Sequence, residues 1–107
     1  MQFSSFAVVP GANKQISVQE CFASAHAVSI KVDVTPLTWD VGPQAYSEIF
    51  KIPAEYAPMS TITSVHHDGM GHVLLFELYP DGACAVYTVS GYWNVGQLTS
   101  ARFNYSK

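Results

Sequence analysis

The sequence predicts an all-β domain: an antiparallel β-sandwich or barrel with a jelly-roll-like arrangement and little or no helix. Three observations predict it. Apolar and polar residues alternate at strand period, proline and glycine separate the alternating runs, and no window of about eleven residues or more has helical periodicity. With 107 residues the chain has the size of one domain. We expect a single domain over residues 1–107, either complete or the C-terminal fragment of a longer protein.

The first three strands are predicted from alternation alone. Residues 28–35 give the clearest pattern, because valine and isoleucine alternate there with polar residues, as in a strand with one face in water. Residues 2–9 form an earlier strand, which ends at a Pro-Gly pair, and residues 15–22 form the next one. In this second strand three apolar residues are expected to share one face: Ile16, Val18 and Phe22.

Four prolines interrupt residues 36–58 and leave room for one short strand at 46–52. The segment is nevertheless rich in aromatic and aliphatic residues, which makes a flexible linker a poor interpretation. We expect it to pack onto the sheets, with Trp39 among the packed residues.

The C-terminal half holds the remaining strands, at 59–66, 72–79, 83–90 and 99–105. Pro80, Asp81 and Gly82 form a turn between two apolar runs, since proline presets φ and glycine tolerates a left-handed conformation. The strand at 72–79 is apolar on both faces, with Glu77 as the exception. Such a strand needs cover on each side, from the second sheet and from a further layer or a partner subunit.

Composition excludes several classes of partner. The formal net charge is -3 and no cluster of lysine or arginine occurs, so a nucleic-acid or anionic-membrane surface is not expected. No apolar stretch reaches the roughly 20 residues of a membrane span. Cys21 and Cys84 lack metal-ligand or redox-motif spacing, which leaves two buried free thiols or one disulfide between them.

Catalytic and metal motifs are missing from the sequence. His66, His67 and His72 border a glycine-containing loop, but adjacent strand residues face opposite ways, so no metal site is expected and His67 alone is retained as a ligand contact. There is no nucleophile elbow and no phosphate-binding loop. We therefore expect a protein without cofactor that is not an enzyme. A small glycan hydrolase is a weak alternative, because such an enzyme needs two carboxylates that meet in space and the acidic residues of this chain allow such a pair.

Aromatic and charged residues in the C-terminal half indicate saccharide binding instead. Aromatic rings cover the apolar face of a pyranose, while carboxylates and a guanidinium bond its hydroxyls. Tyr79 and Tyr105 are expected to pack in the core. The candidates for this chemistry are Glu77, Tyr79, Tyr87, Tyr92, Trp93, Arg102 and Tyr105.

The segment at 50–58 (FKIPAEYAP), the turn at 79–82 (YPDG) and the glycine-aromatic segment at 91–93 (GYW) resemble the head domains of receptor-binding proteins in tailed phages, of the lactococcal siphophage baseplate type. The resemblance covers roughly residues 28–107. It implies a homotrimeric β-head in the virion tail or baseplate, assembled with other baseplate proteins and adhering to bacterial cell-wall polysaccharide. By position it implies Glu77, Tyr87 and Arg102 in the ligand site, although Leu75 stands where a polar residue is expected.

The sequence thus leads to a host-recognition adhesin that binds cell-wall saccharides without chemistry. A structural baseplate or tail domain, which docks another protein through exposed aromatics, remains the alternative. The predicted contact residues are Glu77, Tyr87, Trp93, Arg102, Tyr92 and His67.

Overall fold

The structure is a computed structural model that describes residues 7–8, 13–43, 46–67 and 72–106. Its eight strands form two antiparallel sheets, which confirms the all-β prediction. The strands are β1 (Ala7–Val8), β2 (Lys14–Ala23), β3 (Ala27–Pro36), β4 (Tyr46–Lys51), β5 (Ile62–His67), β6 (Val73–Leu78), β7 (Ala83–Ser90) and β8 (Thr99–Ser106). A 3-10 turn at Ala54–Tyr56 is the one helical element within these ranges.

The larger sheet has five strands in the order β1-β4-β7-β6-β5, and the smaller has three in the order β2-β3-β8. β3 shows the predicted alternation, because Val28, Ile30, Val32 and Val34 are buried while the residues between them are half exposed. Buried side chains of both sheets belong to one hydrophobic cluster, among them Ile30, Phe103, Phe50, Phe76 and Leu78. The two sheets therefore bury a common core.

β2 differs from its prediction at a β-bulge. The pairing with β3 shifts between Val18 and Glu20, so that Cys21 lies opposite Ile30 on the core side. Phe22 consequently points away from the core and is exposed. The expected common face of Ile16, Val18 and Phe22 was wrong, because one extra residue in a strand moves every following side chain to the other face.

The predicted turn between β6 and β7 is confirmed. Gly82 has φ 92° and donates its backbone N–H to the carbonyl of Tyr79 at 2.9 Å. The Asp81 carboxylate accepts from the backbone N–H of Ala83 at 3.0 Å, which satisfies a second polar group of the turn. β6 and β7 then pair along their length as a hairpin.

Asn13 fixes the loop that follows β3. Its backbone is left-handed, with φ 59°, and its side-chain oxygen accepts from both the backbone N–H and the hydroxyl of Thr38. Its amide nitrogen donates to the Trp39 carbonyl at 3.0 Å. The ring of Trp39 is 60% exposed, so the expectation that Trp39 packs in the core was wrong; Val41 takes the buried position instead.

Tyr105 is a core residue, as expected, and joins β8 to the 3-10 turn by donating its hydroxyl to the carbonyl of Tyr56. Cys21 and Cys84 are buried free thiols on different sheets, which decides between the two alternatives left by the sequence. None of the described segments forms a helix long and apolar enough to cross a lipid bilayer.

Candidate functional site

The outer face of the five-stranded sheet carries a row of large side chains. Pairing places Tyr46 on β4 opposite Tyr87 on β7, Tyr87 opposite Leu75 on β6, and Leu75 opposite Val65 on β5. Tyr87 and Leu75 alternate with buried core residues of their strands, so they point away from the core, and pairing places Tyr46 and Val65 on the same side. We call this surface the tyrosine face; it comprises Tyr46, Glu48, Thr63, Val65, His67, Leu75, Glu77, Tyr79, Ala85 and Tyr87.

Two carboxylates lie in the neighbouring row of the tyrosine face. Glu48 on β4 and Glu77 on β6 both lie opposite Ala85 on β7. Strands in a sheet are about 4.8 Å apart, so the two glutamates start roughly 10 Å from each other across the alanine. Glu77 is also the diagonal neighbour of Tyr87, a separation of about 7–8 Å that long side chains can span. The face therefore combines aromatic rings with carboxylates at adjoining positions.

Tyr79 connects the two sides of this surface. It is hydrogen-bonded to Tyr46, and its hydroxyl lies 3.4 Å from a carboxylate oxygen of Glu77. Because Tyr46 and Tyr79 flank β7, their contact passes over the central strand. Ala85 is only 2% exposed despite pointing outward, in agreement with this cover. The hydrogen bond with Tyr46, followed by burial and the charge of Glu77, raises the pKa of Tyr79 well above its usual range.

Apart from Glu77, β6 is apolar on both faces, as the sequence indicated. Its inner residues Leu74, Phe76 and Leu78 are buried, and its outer residues Val73 and Leu75 are half-buried. Tyr87 and Val65 lie on either side of Leu75 and supply part of its cover. The predicted cover of the outer face of β6 is therefore supplied in part by side chains of the neighbouring strands in the same sheet. Cover by a partner subunit remains a prediction.

The structure brings together three of the six predicted contact residues. Glu77 and Tyr87 lie on adjoining strands of the tyrosine face. His67 lies on the same face at the end of the outer strand β5, where it is exposed, while His66 points to the other side. The loop that follows at 68–71 is outside the described residues. Among the residues that are described, no group of three potential ligands could hold a metal ion.

Arg102 lies on the other sheet. It is on the outer face of the three-stranded sheet, opposite Lys31, and its guanidinium bonds a carboxylate oxygen of Glu20 at 2.8 Å. Ser29 donates to the same oxygen at 2.6 Å, and this bond, with the charge of Arg102, lowers the pKa of Glu20. The predicted grouping of Arg102 with Glu77 and Tyr87 is not present in this arrangement, because β8 pairs with β3 rather than with β6 or β7.

Trp93 is a core residue that a ligand could reach only after rearrangement. It is 1% exposed, packs edge-on against Phe76 at 6.2 Å between ring centroids, and donates its indole N–H to the Gln97 carbonyl at 2.9 Å. The ammonium of Lys14 lies 5.8 Å from the ring centroid, and burial lowers the pKa of Lys14. Tyr92, the residue before it, is exposed and lies in the loop between β7 and β8, not on a strand of the tyrosine face.

Sequence reasoning missed Tyr46 and Glu48 as members of the site. A signal was present, since both residues occupy alternate positions of the strand predicted at 46–52 and therefore share a face. What the pattern could not show is that β4 pairs with β7, which brings these residues beside Tyr87.

The tyrosine face offers aromatic rings for stacking and carboxylates as hydrogen-bond acceptors. In the strand pairing, the residue between its two glutamates is the uncharged Ala85. Phenol rings can cover the C–H face of a sugar, and carboxylates can accept from its hydroxyls. Comparison of the chain with protein-family models, with curated proteins and with solved structures gives no match.

Proposed function

We propose that the chain is a saccharide-binding domain without catalytic activity, and that the tyrosine face is its binding surface. The observation that carries the proposal is the strand register, which sets Tyr46, Tyr87 and Glu77 at adjoining positions on one exposed sheet face. Rings and carboxylates in such an arrangement can hold a pyranose by stacking and by charge-assisted hydrogen bonds.

The ligand class follows from the charges. Glu48 and Glu77 are the acidic groups of this face, and Lys51 lies one row farther along β4, opposite Ala83. An anionic sugar would be repelled by the two carboxylates, whereas a neutral or amine-bearing sugar would not. We therefore expect a preference for neutral or amino sugars over uronic acids and phosphodiester-linked sugars.

The wider proposal is a host-recognition adhesin of a phage tail or baseplate that binds cell-wall polysaccharide as a homotrimer. Its support is the resemblance of the C-terminal sequence to receptor-binding heads and the composition of the tyrosine face. A shallow sugar site with a Kd of about 1 mM provides only about -4 kcal/mol. Linked copies on a repeating polymer can raise the apparent affinity by roughly 10² to 10⁴, so a trimer would make weak sites useful.

A structural baseplate domain that docks another protein is the second candidate. Val65 is 60% exposed in the same row as the half-buried Leu75, and aliphatic exposure of this kind suits a protein partner better than a sugar. In that case Val65→Ser would abolish association with the partner, while saccharides would not bind at all.

The experiment that separates these candidates is an array of neutral and acidic Gram-positive wall polysaccharides, probed with the intact chain and followed by calorimetry. Glu77→Gln should reduce binding to the polysaccharide that the intact chain binds about tenfold or more, the loss expected for a charge-assisted contact. Tyr46→Ala should reduce it about three- to tenfold, the loss expected for one aromatic contact. Glu55→Gln and Phe22→Ala serve as matched controls, since both residues are exposed elsewhere. Absence of binding to every polysaccharide, or equal binding by all four variants, would overturn the proposal.

A further inference from the structure

Two loops at the end of the sheets where β3 and β7 finish are tied together along their length. They comprise residues 37–43 and 91–98, and we call them the loop pair. Val41 and Trp93 exchange two backbone hydrogen bonds of 2.8 and 2.9 Å. The Gly96 N–H donates to the Pro36 carbonyl at 3.0 Å, and the Val95 N–H donates to the Asp40 carboxylate at 2.8 Å. The bonds at Trp93 and Val95 link the two loops, and the bond at Gly96 ties the second loop to the end of β3.

The loop pair is held to the body of the domain as well. The Asn13 side chain accepts from the Thr38 N–H and donates to the Trp39 carbonyl in the first loop. In the second loop the ring of Trp93 is buried in the core. The ring of Tyr92 lies over Gly42, where a β-carbon would meet it at 3.1 Å. Because the backbone is fixed, little conformational entropy would be lost when a ligand binds to side chains on this surface.

Exposed apolar side chains are concentrated on this fixed backbone. Each of them exposes about half of its surface, and it is their number within two short segments that is informative. They are Leu37, Trp39, Tyr92, Val95 and Leu98, with exposures of 46–60%. Within the loop pair Asp40 is the one charged residue, and one of its oxygens already accepts from Val95.

The area and charge of this surface indicate a small, uncharged ligand. Five half-exposed side chains present on the order of 500 Å² of apolar surface, the upper range for a patch on a monomer. A stable protein interface buries about 800 Å² on each partner, so the patch is small for a second copy of this chain. The absence of lysine and arginine from both loops disfavours an anionic lipid surface.

Polar residues adjoin Trp39 and Tyr92 along the chain. Asp40 adjoins Trp39, and its second carboxylate oxygen has no partner among the described residues. Asn94 follows the exposed Tyr92 by two positions and is itself exposed. Aromatic rings bordered by an acceptor and an amide form a typical saccharide contact, in which the ring supports the C–H face and the polar groups bond the ring hydroxyls.

We propose that the loop pair is a second saccharide subsite, in which Trp39 and Tyr92 stack on a neutral sugar unit of the polymer whose other units occupy the tyrosine face. The inference rests on the proposed function, because it assumes a saccharide ligand, but it concerns different residues. A polymer that contacts two surfaces of one domain gains affinity with chain length, since the second contact is intramolecular.

The test uses the polysaccharide that the intact chain binds on the array. Calorimetry measures the affinity of the chain for the intact polymer and for its disaccharide repeat. Trp39→Ala and Tyr92→Ala should each weaken polymer binding about three- to tenfold, the range expected for loss of one aromatic contact. Binding of the disaccharide at the tyrosine face should be unchanged in both variants. Phe22→Ala is the control for loss of an exposed ring elsewhere.

A second readout separates this inference from the proposed function. Trp39 is exposed and Trp93 is buried, so a blue shift of tryptophan emission on addition of polymer reports on the loop pair. A shift that persists in Glu77→Gln would support the subsite even if the tyrosine face does not bind. Unchanged polymer affinity in both loop variants would overturn the subsite while leaving the tyrosine face in place. Capture of the chain by phosphatidylcholine vesicles, or a change in oligomeric mass on Trp39→Ala, would also overturn it.

Discussion

Gly82 lies directly against the backbone of Ile52: a β-carbon at position 82 would be 2.1 Å from the Ile52 carbonyl oxygen. The two residues are also joined by a hydrogen bond from the Ile52 N–H to the Gly82 carbonyl at 2.9 Å. The β6–β7 turn is therefore packed tightly against the end of β4, and the strands that carry the tyrosine face are held at this contact.

Substitution of Gly82 should destabilise the fold more than substitution of another glycine with positive φ. Gly96 has φ 80° but has nothing within 4 Å of a β-carbon. Gly96→Ala should cost about 1 kcal/mol from backbone strain alone, and Gly82→Ala about 3 kcal/mol or more because the clash is added. Urea unfolding of both variants measures the difference; equal losses would show that the close approach to Ile52 is absent.

Asn13 should stabilise the loop after β3 in two separable ways. Asn13→Gly keeps the left-handed backbone but removes the bonds to Thr38 and Trp39, at a cost of about 1–2 kcal/mol. Asn13→Ala removes the same bonds and adds about 1 kcal/mol of backbone strain. The unfolding free energy should therefore be highest for the unsubstituted chain, lower for the glycine variant and lowest for the alanine variant. An alanine variant as stable as the glycine variant would contradict the observed φ.

The buried thiols should make stability fall at alkaline pH. Burial raises the pKa of Cys21 to about 11 and raises the pKa of Cys84 as well. The unfolded chain loses these protons near pH 8.5 whereas the folded chain retains them, so the free energy of unfolding is highest below that pH and decreases above it. Cys21→Ala should give a shallower decrease between about pH 8.5 and pH 11. An equally steep decrease in Cys21→Ala and in the unsubstituted chain would disprove the burial of the Cys21 thiol.

The two tryptophans should be distinguishable in solution. Trp39→Phe leaves only the buried Trp93, so its emission should be blue-shifted and poorly quenched by acrylamide. Trp93→Phe should leave red-shifted, readily quenched emission from Trp39. If Trp39→Phe retained strong quenching, Trp93 would be exposed, as the sequence interpretation of this residue as a ligand contact required.

Much of the strand layout could be predicted because alternation and turn chemistry are local signals. The valine and isoleucine pattern of β3 and the Pro-Asp-Gly turn before β7 are examples, and both correspond to the structure. Phe22 was misplaced because a bulge leaves no mark in the pattern of alternation. Likewise, the burial of Trp93 depends on its bridge to Val41, which lies 52 residues earlier in the chain (93 minus 41), and no local pattern encodes that contact.

The candidate site was only partly predictable for the same reason. Glu77 and Tyr87 were grouped by the resemblance to receptor-binding heads, and they do lie on one face because the hairpin predicted from the turn connects their strands. Arg102 and Tyr46 depend on the order of strands in each sheet, which pairs β8 with β3 and β4 with β7. Strand order is set by contacts between distant segments of the chain, and residue spacing does not reveal it.

Sugar binding on the tyrosine face is tested most directly by mapping amide chemical shifts during a titration. The titrant is the disaccharide repeat of the polysaccharide that the intact chain binds on the array. We predict that the perturbed amides belong to β4, β6 and β7, around Tyr46, Glu77 and Tyr87. Perturbations confined to the outer face of the three-stranded sheet, around Glu20 and Arg102, or no perturbation at saturating sugar, would contradict the claim.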